Sequence, residues 1–131
     1  MLPLCKAEGI GILPWIPLAR GRLARPWDGP SSTNRTASDE TAARLYSETE
    51  AEDKNVIDAV GVVADARGLT RAQVALAWLL QQPGVTAPVI GAAKPIHLDE
   101  ALSALSIQLQ PDDCAALERL YVPHPMSFFR S

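Results

Sequence analysis

The sequence predicts an α/β fold in which two short parallel strands are joined by a helical crossover. Two apolar runs, at residues 9–15 and 85–92, are bounded by glycine or proline and are too short for helices. Between them lie two stretches with apolar residues at spacings of three and four, the period of a helix. Strands separated by so long a connection pair in parallel, with a right-handed crossover.

Taken in order, the first run reads as a strand through Ile10, Ile12 and Leu13, closed by Pro14-Trp15. Residues 16–37 are rich in Pro, Gly, Arg, Ser and Thr and read as a loop, of a length that compact domains keep mainly for function. Ser38 can cap a short helix through about Tyr46. The acidic residues Glu48, Glu50, Glu52 and Asp53 suit a solvated helix start, where carboxylates meet the positive end of the dipole. A helix is expected from about Asn55, with Val56, Ile57, Val60, Val63 and Ala64 inward and Gly68 as its stop. Thr70 and Gln73 form a capping box for the next helix, with Leu69 and Val74 as its hydrophobic staple. That helix is apolar nearly all round, so it should be buried on more than one side, with Trp78 in the core. Pro83-Gly84 ends it. The second strand, Pro88-Val89-Ile90-Gly91, is apolar on both faces, as a helix-covered parallel strand requires. Pro95 then opens a helix with Leu98, Ala101, Leu102 and Leu105 on one face. Pro111, Asp112 and Asp113 open the last helix, with Leu117 and Leu120 inward, and residues 121–131 read as an irregular tail.

The chain has 131 residues, enough for one domain or part of one. Its 47% hydrophobic and 21% charged content is that of a globular chain and excludes a disordered one. A net charge of −3 gives no reason to expect nucleic acid or an anionic membrane as partner. No apolar run reaches the roughly 18 residues of a membrane span. The start, Met1-Leu2-Pro3-Leu4-Cys5-Lys6, lacks the pattern of a signal peptide, and Cys5 and Cys114 make no disulfide framework. A reduced, cytoplasmic setting is the expectation. Neither cysteine has a base beside it in sequence, so no nucleophile is expected. His97 and His124 have no metal-like spacing to the cysteines, so no metal site is expected. Arg20, Arg22, Arg25 and Arg35 read as a solvated basic edge.

Two segments in order carry a family likeness. "GIGILPWIPLARGRL" (9–23) followed by "LTRAQVALAWLLQQPGVTAPVIGAAKPIHLDEAL" (69–102) resembles the C-terminal part of an aldo-keto reductase. The tail "LERLYVPHP" (117–125) resembles the end of one bacterial branch of that family. The resemblance implies a partial (β/α)₈ TIM barrel: residues 1–131 as one incomplete domain holding strands seven and eight with their helices. Functional groups of such barrels sit at the C-terminal ends of strands, where Trp15 and Lys94 fall.

The site implied is a cofactor site for NADPH. In the family an aromatic residue at the end of strand seven stacks on the nicotinamide, and Trp15 holds that place. The turn that wraps the pyrophosphate corresponds to Pro17, Leu18, Ala19 and Gly21, with Ile16 where serine is usual and Arg20 or Arg22 toward phosphate. The segment that binds the adenosine 2′-phosphate reads Gly91-Ala92-Ala93-Lys94, which leaves Lys94 as its cation. His97 and Glu100 fall where the family contacts adenine, and Ala101 replaces an amide. The family's catalytic Asp, Tyr, Lys and His match no residue here, so no catalytic residue is assigned.

The function implied is a part of an NADPH-dependent reductase of aldehydes and ketones, its partners the cofactor and a small carbonyl substrate. The isolated chain is expected to be inactive and to self-associate. Two other readings stay open: a non-catalytic interaction or regulatory module, and a truncated gene product without function. From the residues alone, a tryptophan at a strand end is more often packing, Lys94 a solvated loop lysine, and His97 a helix-surface residue.

Overall fold

The computed structural model describes residues 2–27, 46 and 48–123. The expected helix from Ser38 lies outside the described residues except for Tyr46, as do residues 124–131 of the tail, His124 and Arg35.

Five α-helices form among the described residues: α1 (Leu2–Ala7), α2 (Glu50–Arg67), α3 (Arg71–Leu80), α4 (Pro95–Ser103) and α5 (Pro111–Glu118). Gly9, at φ 65°, turns the chain out of α1, and the Ile10 N–H closes back on the Cys5 carbonyl at 2.8 Å. In the 16–37 stretch, Ala19–Ala24 forms a 3₁₀ turn broken by a kink at Arg20 and Gly21.

Helix α2 begins at Glu50, earlier than the apolar spacing alone indicates. Its first turn is the acidic stretch, and the Thr49 hydroxyl donates to the Asp53 carboxylate at 2.8 Å. The extension carries no buried apolar residue, so hydrophobic spacing could not detect it. Gly68 ends α2 in the left-handed conformation, and the Leu69 N–H reaches the Ala64 carbonyl at 3.0 Å. The capping box forms as expected: the Gln73 N–H donates to the Thr70 hydroxyl at 3.2 Å, and the Thr70 N–H donates to Gln73 Oε1 at 2.8 Å.

The core lies between α2, α3 and α5. Val60, Val63, Ala64, Val74, Ala77, Leu109 and Leu117 form it, and Leu69 packs against it. In α3, Val74, Ala75, Leu76 and Ala77 are all buried in succession. Successive helical positions turn by about 100°, so α3 is covered on most of its circumference. Gln81 fastens Leu109 over the core, accepting from its N–H at 2.8 Å and donating to its carbonyl at 3.2 Å.

Two burial expectations, for Trp78 and Leu120, and the strand expectation are corrected. Trp78 lies at the rim, half-buried, because its indole N–H reaches out to the Glu118 carboxylate at 2.8 Å. Leu120 lies past the end of α5 and is exposed. On the apolar face of α4, Leu98 and Leu102 are exposed, as is Leu105 in the turn that follows, while Ala101 is half-buried at the edge of a cavity. A period of three and four marks which side is apolar but not whether anything packs on it. Finally, the two apolar runs do not form continuous strands. They pair in parallel, as their crossover demands, but through two isolated bridges, Ile12 with Val85 and Trp15 with Val89. The Thr86 N–H donates to the Ile12 carbonyl and the Val89 N–H to the Pro14 carbonyl, both at 2.9 Å. Pro14 and Pro88 have no N–H to extend the ladder.

Candidate functional site

The bridge between Trp15 and Val89 brings two distant segments side by side, and a cavity of about 490 Å³ opens beyond it. One wall is Trp15, Ile16, Pro17, Leu18, Arg20 and Gly21. The other is formed by Val89, Ile90 and Gly91 with His97 and Glu100 of α4, and Ala72 and Leu76 of α3 close the space between them.

The first wall is held in an unusual backbone. Ile16, Ala19 and Arg20 have φ values of 54°, 47° and 57°, followed by Gly21 at 89°. Such a conformation costs on the order of 1–3 kcal/mol for each non-glycine residue, and is least natural for the β-branched Ile16. Three hydrogen bonds oppose that cost: Ala19 N–H to Ile16 at 3.0 Å, and Gly21 N–H and Leu23 N–H to Leu18 at 2.8 and 3.3 Å. The turn keeps Trp15 forward, with 68% of its surface exposed. On the far wall, open space surrounds the position a Gly91 Cβ would take, so a ligand can approach the backbone there.

The cavity is mainly apolar. His97 and Glu100, one turn apart on α4, and Arg20 supply its ionisable groups. A flat ring can lie against the indole and an anion beside the arginine.

Of the residues singled out in the sequence, Trp15, Pro17, Leu18, Gly21, Gly91, His97 and Glu100 line this one cavity. Ala19 belongs to the turn without lining it. Lys94 is exposed at the N-cap of α4 and does not line it either. Arg22 is also outside the lining and is not a solvated edge residue: its guanidinium lies 4.7 Å from the Tyr46 ring, 5.6 Å from the Trp27 ring and 3.7 Å from the Glu50 carboxylate. Sequence reading missed Ala24, Ala72 and Leu76 as lining residues. The signal for the last two is their i, i+4 spacing on a helix apolar all round, which has one side for the core and one for the cavity. Among the described residues, no three His, Cys, Asp or Glu side chains gather where a metal could be held.

Against known proteins, the aldo/keto reductase family model matches residues 1–122. The chain belongs to the aldo/keto reductase family. Its members fold as (β/α)₈ barrels and generally use NAD(P)H. Among its relatives is the versiconal hemiacetal acetate reductase of Aspergillus parasiticus, 40% identical over 129 residues, which are 95% of this chain and 37% of that reductase. An aldo-keto reductase of Metarhizium robertsii is 40% identical over 120 residues, 91% of this chain and 31% of its own length. A putative aryl-alcohol dehydrogenase of Saccharomyces cerevisiae is 35% identical over 124 residues, 94% and 35% of the two chains. These aldo/keto reductases are fungal, so they lend no support to the expected bacterial branch. The chain spans about a third of the length of the curated relatives it matches.

Proposed function

We propose that this chain is the C-terminal part of an NADPH-dependent aldo-keto reductase that reduces aldehydes or ketones to alcohols, and that the cavity is its cofactor wall. In this reading the paired segments are strands seven and eight of the barrel, and residues 1–131 make one incomplete domain. The observation that supports it is the convergence of Trp15, the Pro17-Leu18 turn, Gly91, His97 and Glu100 on one cavity from two distant parts of the chain.

The residues present fit the group. About 490 Å³ is within the range of small-molecule sites. An exposed indole, an arginine-bearing turn and an open glycine backbone suit a flat ring joined to phosphates. When bound, the cofactor supplies hydride to a carbonyl carbon. Trp15 orients the ring from one face. Leu18, Ala19 and Gly21 shape the turn around the pyrophosphate, with Arg20 as the cation on the lining. Lys94, at the start of α4, attracts the 2′-phosphate, and His97 and Glu100 take the adenine end. No residue of this chain is given a proton-transfer role, and no carbonyl turnover is expected from it alone.

Titration of the chain with NADPH, followed by cofactor fluorescence, tests the reading. Trp15→Ala should weaken binding about tenfold, the equivalent of ~1.4 kcal/mol and within the range of an aromatic stacking contact. Unchanged affinity would remove Trp15 from the site. In a full-length reductase carrying this segment, Lys94→Glu should weaken NADPH far more than NADH; equal losses would mean that Lys94 does not read the 2′-phosphate.

A further inference from the structure

We infer that Arg22 is a positioning residue: it is the anchor that holds the strained turn of the cofactor wall in place, and not a phosphate ligand. The inference rests on the cavity being a cofactor site, and it assigns Arg22 a different task from the cationic residues at that site.

Three observations carry it. The Arg22 side chain is only 17% exposed, too enclosed for a surface cation. Its guanidinium lies over Tyr46 and Trp27, at 4.7 and 5.6 Å, and 3.7 Å from Glu50, a residue of the first turn of α2. Its Nη1 is buried without a hydrogen-bond partner among the described residues, a cost of the enclosed position and not one of its holding contacts. Arg22 does not line the cavity, whereas its neighbours Arg20 and Gly21 do.

The position in the chain gives this clasp its effect. Arg22 directly follows the kink at Arg20 and Gly21 and lies between Gly21 and Leu23, whose N–H groups both bond the Leu18 carbonyl. A residue fixed there limits the freedom of the backbone on the side where three non-glycine residues hold positive φ. A planar guanidinium can stack on an aromatic face and pair with a carboxylate together, while a lysine ammonium is a point charge without that plane. The anchor therefore joins the wall of the cavity to the start of α2 through shape as much as charge.

Backbone amide hydrogen exchange on the full chain, with NADPH titration beside it, tests the inference. In Arg22→Met, exchange at Gly21 and Leu23 should rise at least tenfold, while α3 amides from Val74 to Leu80 stay unchanged. Arg22→Lys should not restore the protection, and NADPH affinity should fall about tenfold in both variants. Trp27→Leu should loosen the same two amides, and it decides the matter if Arg22→Met does not fold. Unchanged exchange at Gly21 and Leu23 would overturn the inference, and so would a uniform rise across α2 and α3, which is general destabilisation. Weaker NADPH binding with unchanged exchange would make Arg22 a direct ligand, again overturning it. If the wild-type chain binds no NADPH, the functional reading fails, while the exchange measurement still decides whether Arg22 holds the turn.

Discussion

Gly61 shows how a single missing methyl group organises two helices. A Cβ at that position would lie 2.1 Å from Arg71 Nη2, while Arg71 Nη1 donates to the Ile57 carbonyl at 2.7 Å. Glycine inside a helix ordinarily costs about 1 kcal/mol relative to alanine. Here it clears a path for the first residue of α3 to bond the backbone of α2. Gly61→Ala should displace the guanidinium and lose a charged hydrogen bond of about 1.5–3 kcal/mol, against the ~1 kcal/mol regained in propensity. The net expectation is a loss of roughly 1 kcal/mol, read as a lower midpoint in urea; a higher midpoint would show that the Arg71 contact contributes nothing. Cys114 makes a second residue-scale case. Burial pushes its thiol above the ordinary range, and the carboxylates of Glu118 and Asp113 push it the same way. The protonated thiol is thus favoured by the fold. This contribution is fully present below the unfolded thiol pKa of about 8.5 and is lost as pH rises through the higher folded value. Alkylation of Cys114 at about pH 8.5 should run slower in the folded than in the urea-unfolded chain, with the gap narrowing at higher pH. Equal rates at both pH values, followed by peptide mass, would contradict this. Neither Gly61 with Arg71 nor the burial of Cys114 was legible in the sequence, because both depend on which helix faces which.

At the scale of elements, what could be read was what is local. The Thr70–Gln73 box, the Gly68 stop and the prolines that open α4 and α5 are determined by neighbours three or four positions away, and all of them form. The apolar faces of α4 and α5 were equally plain as patterns, yet only α5 buries a leucine of its own. Leu117 is 6% exposed and Leu102 is 55% exposed. The difference lies in orientation: α5 turns its leucine onto α2, while α4 packs against α3 with Leu98 and Leu102 left exposed. Two substitutions should separate the helices. Leu117→Ala should cost about 2–5 kcal/mol by opening the core, whereas Leu102→Glu should stay within ~0.5 kcal/mol. Thermal unfolding of both variants measures the contrast, and a large loss from Leu102→Glu would show that its face is covered in solution. The candidate site follows the same division. Trp15 and the Pro17–Gly21 turn could be named from a motif, but the inward turn of Arg22 toward Trp27 and Tyr46 needed a third segment that no local pattern announces.

For the whole molecule, the uncovered apolar surface sets the expected behaviour. Ile10, Leu13 and Val89 are exposed around the two bridges, and Ile96, Leu98, Leu102 and Leu105 are exposed from α4 to the following turn. Among the described residues, neither bridge-paired segment pairs with a third. Contiguous apolar surface and open backbone edges promote association. The chain alone should therefore show strong helical circular dichroism, a broad melt and oligomers that grow with concentration. A monodisperse monomer by light scattering, with a sharp two-state transition, would instead favour an independent module. The bridges also have a consequence in time. Ile12 and Thr86 are 74 positions apart, whereas α2 and α3 meet across the short turn at Gly68 and Leu69. Loop-closure entropy rises with the logarithm of the span, and contacts distant in sequence form slowly. The α2–α3 hairpin should assemble first and the seam beside Trp15 last. Since both walls of the cavity stand on that seam, a ligand that needs both can bind only after the crossover has docked, and its binding is a checkpoint on completed folding.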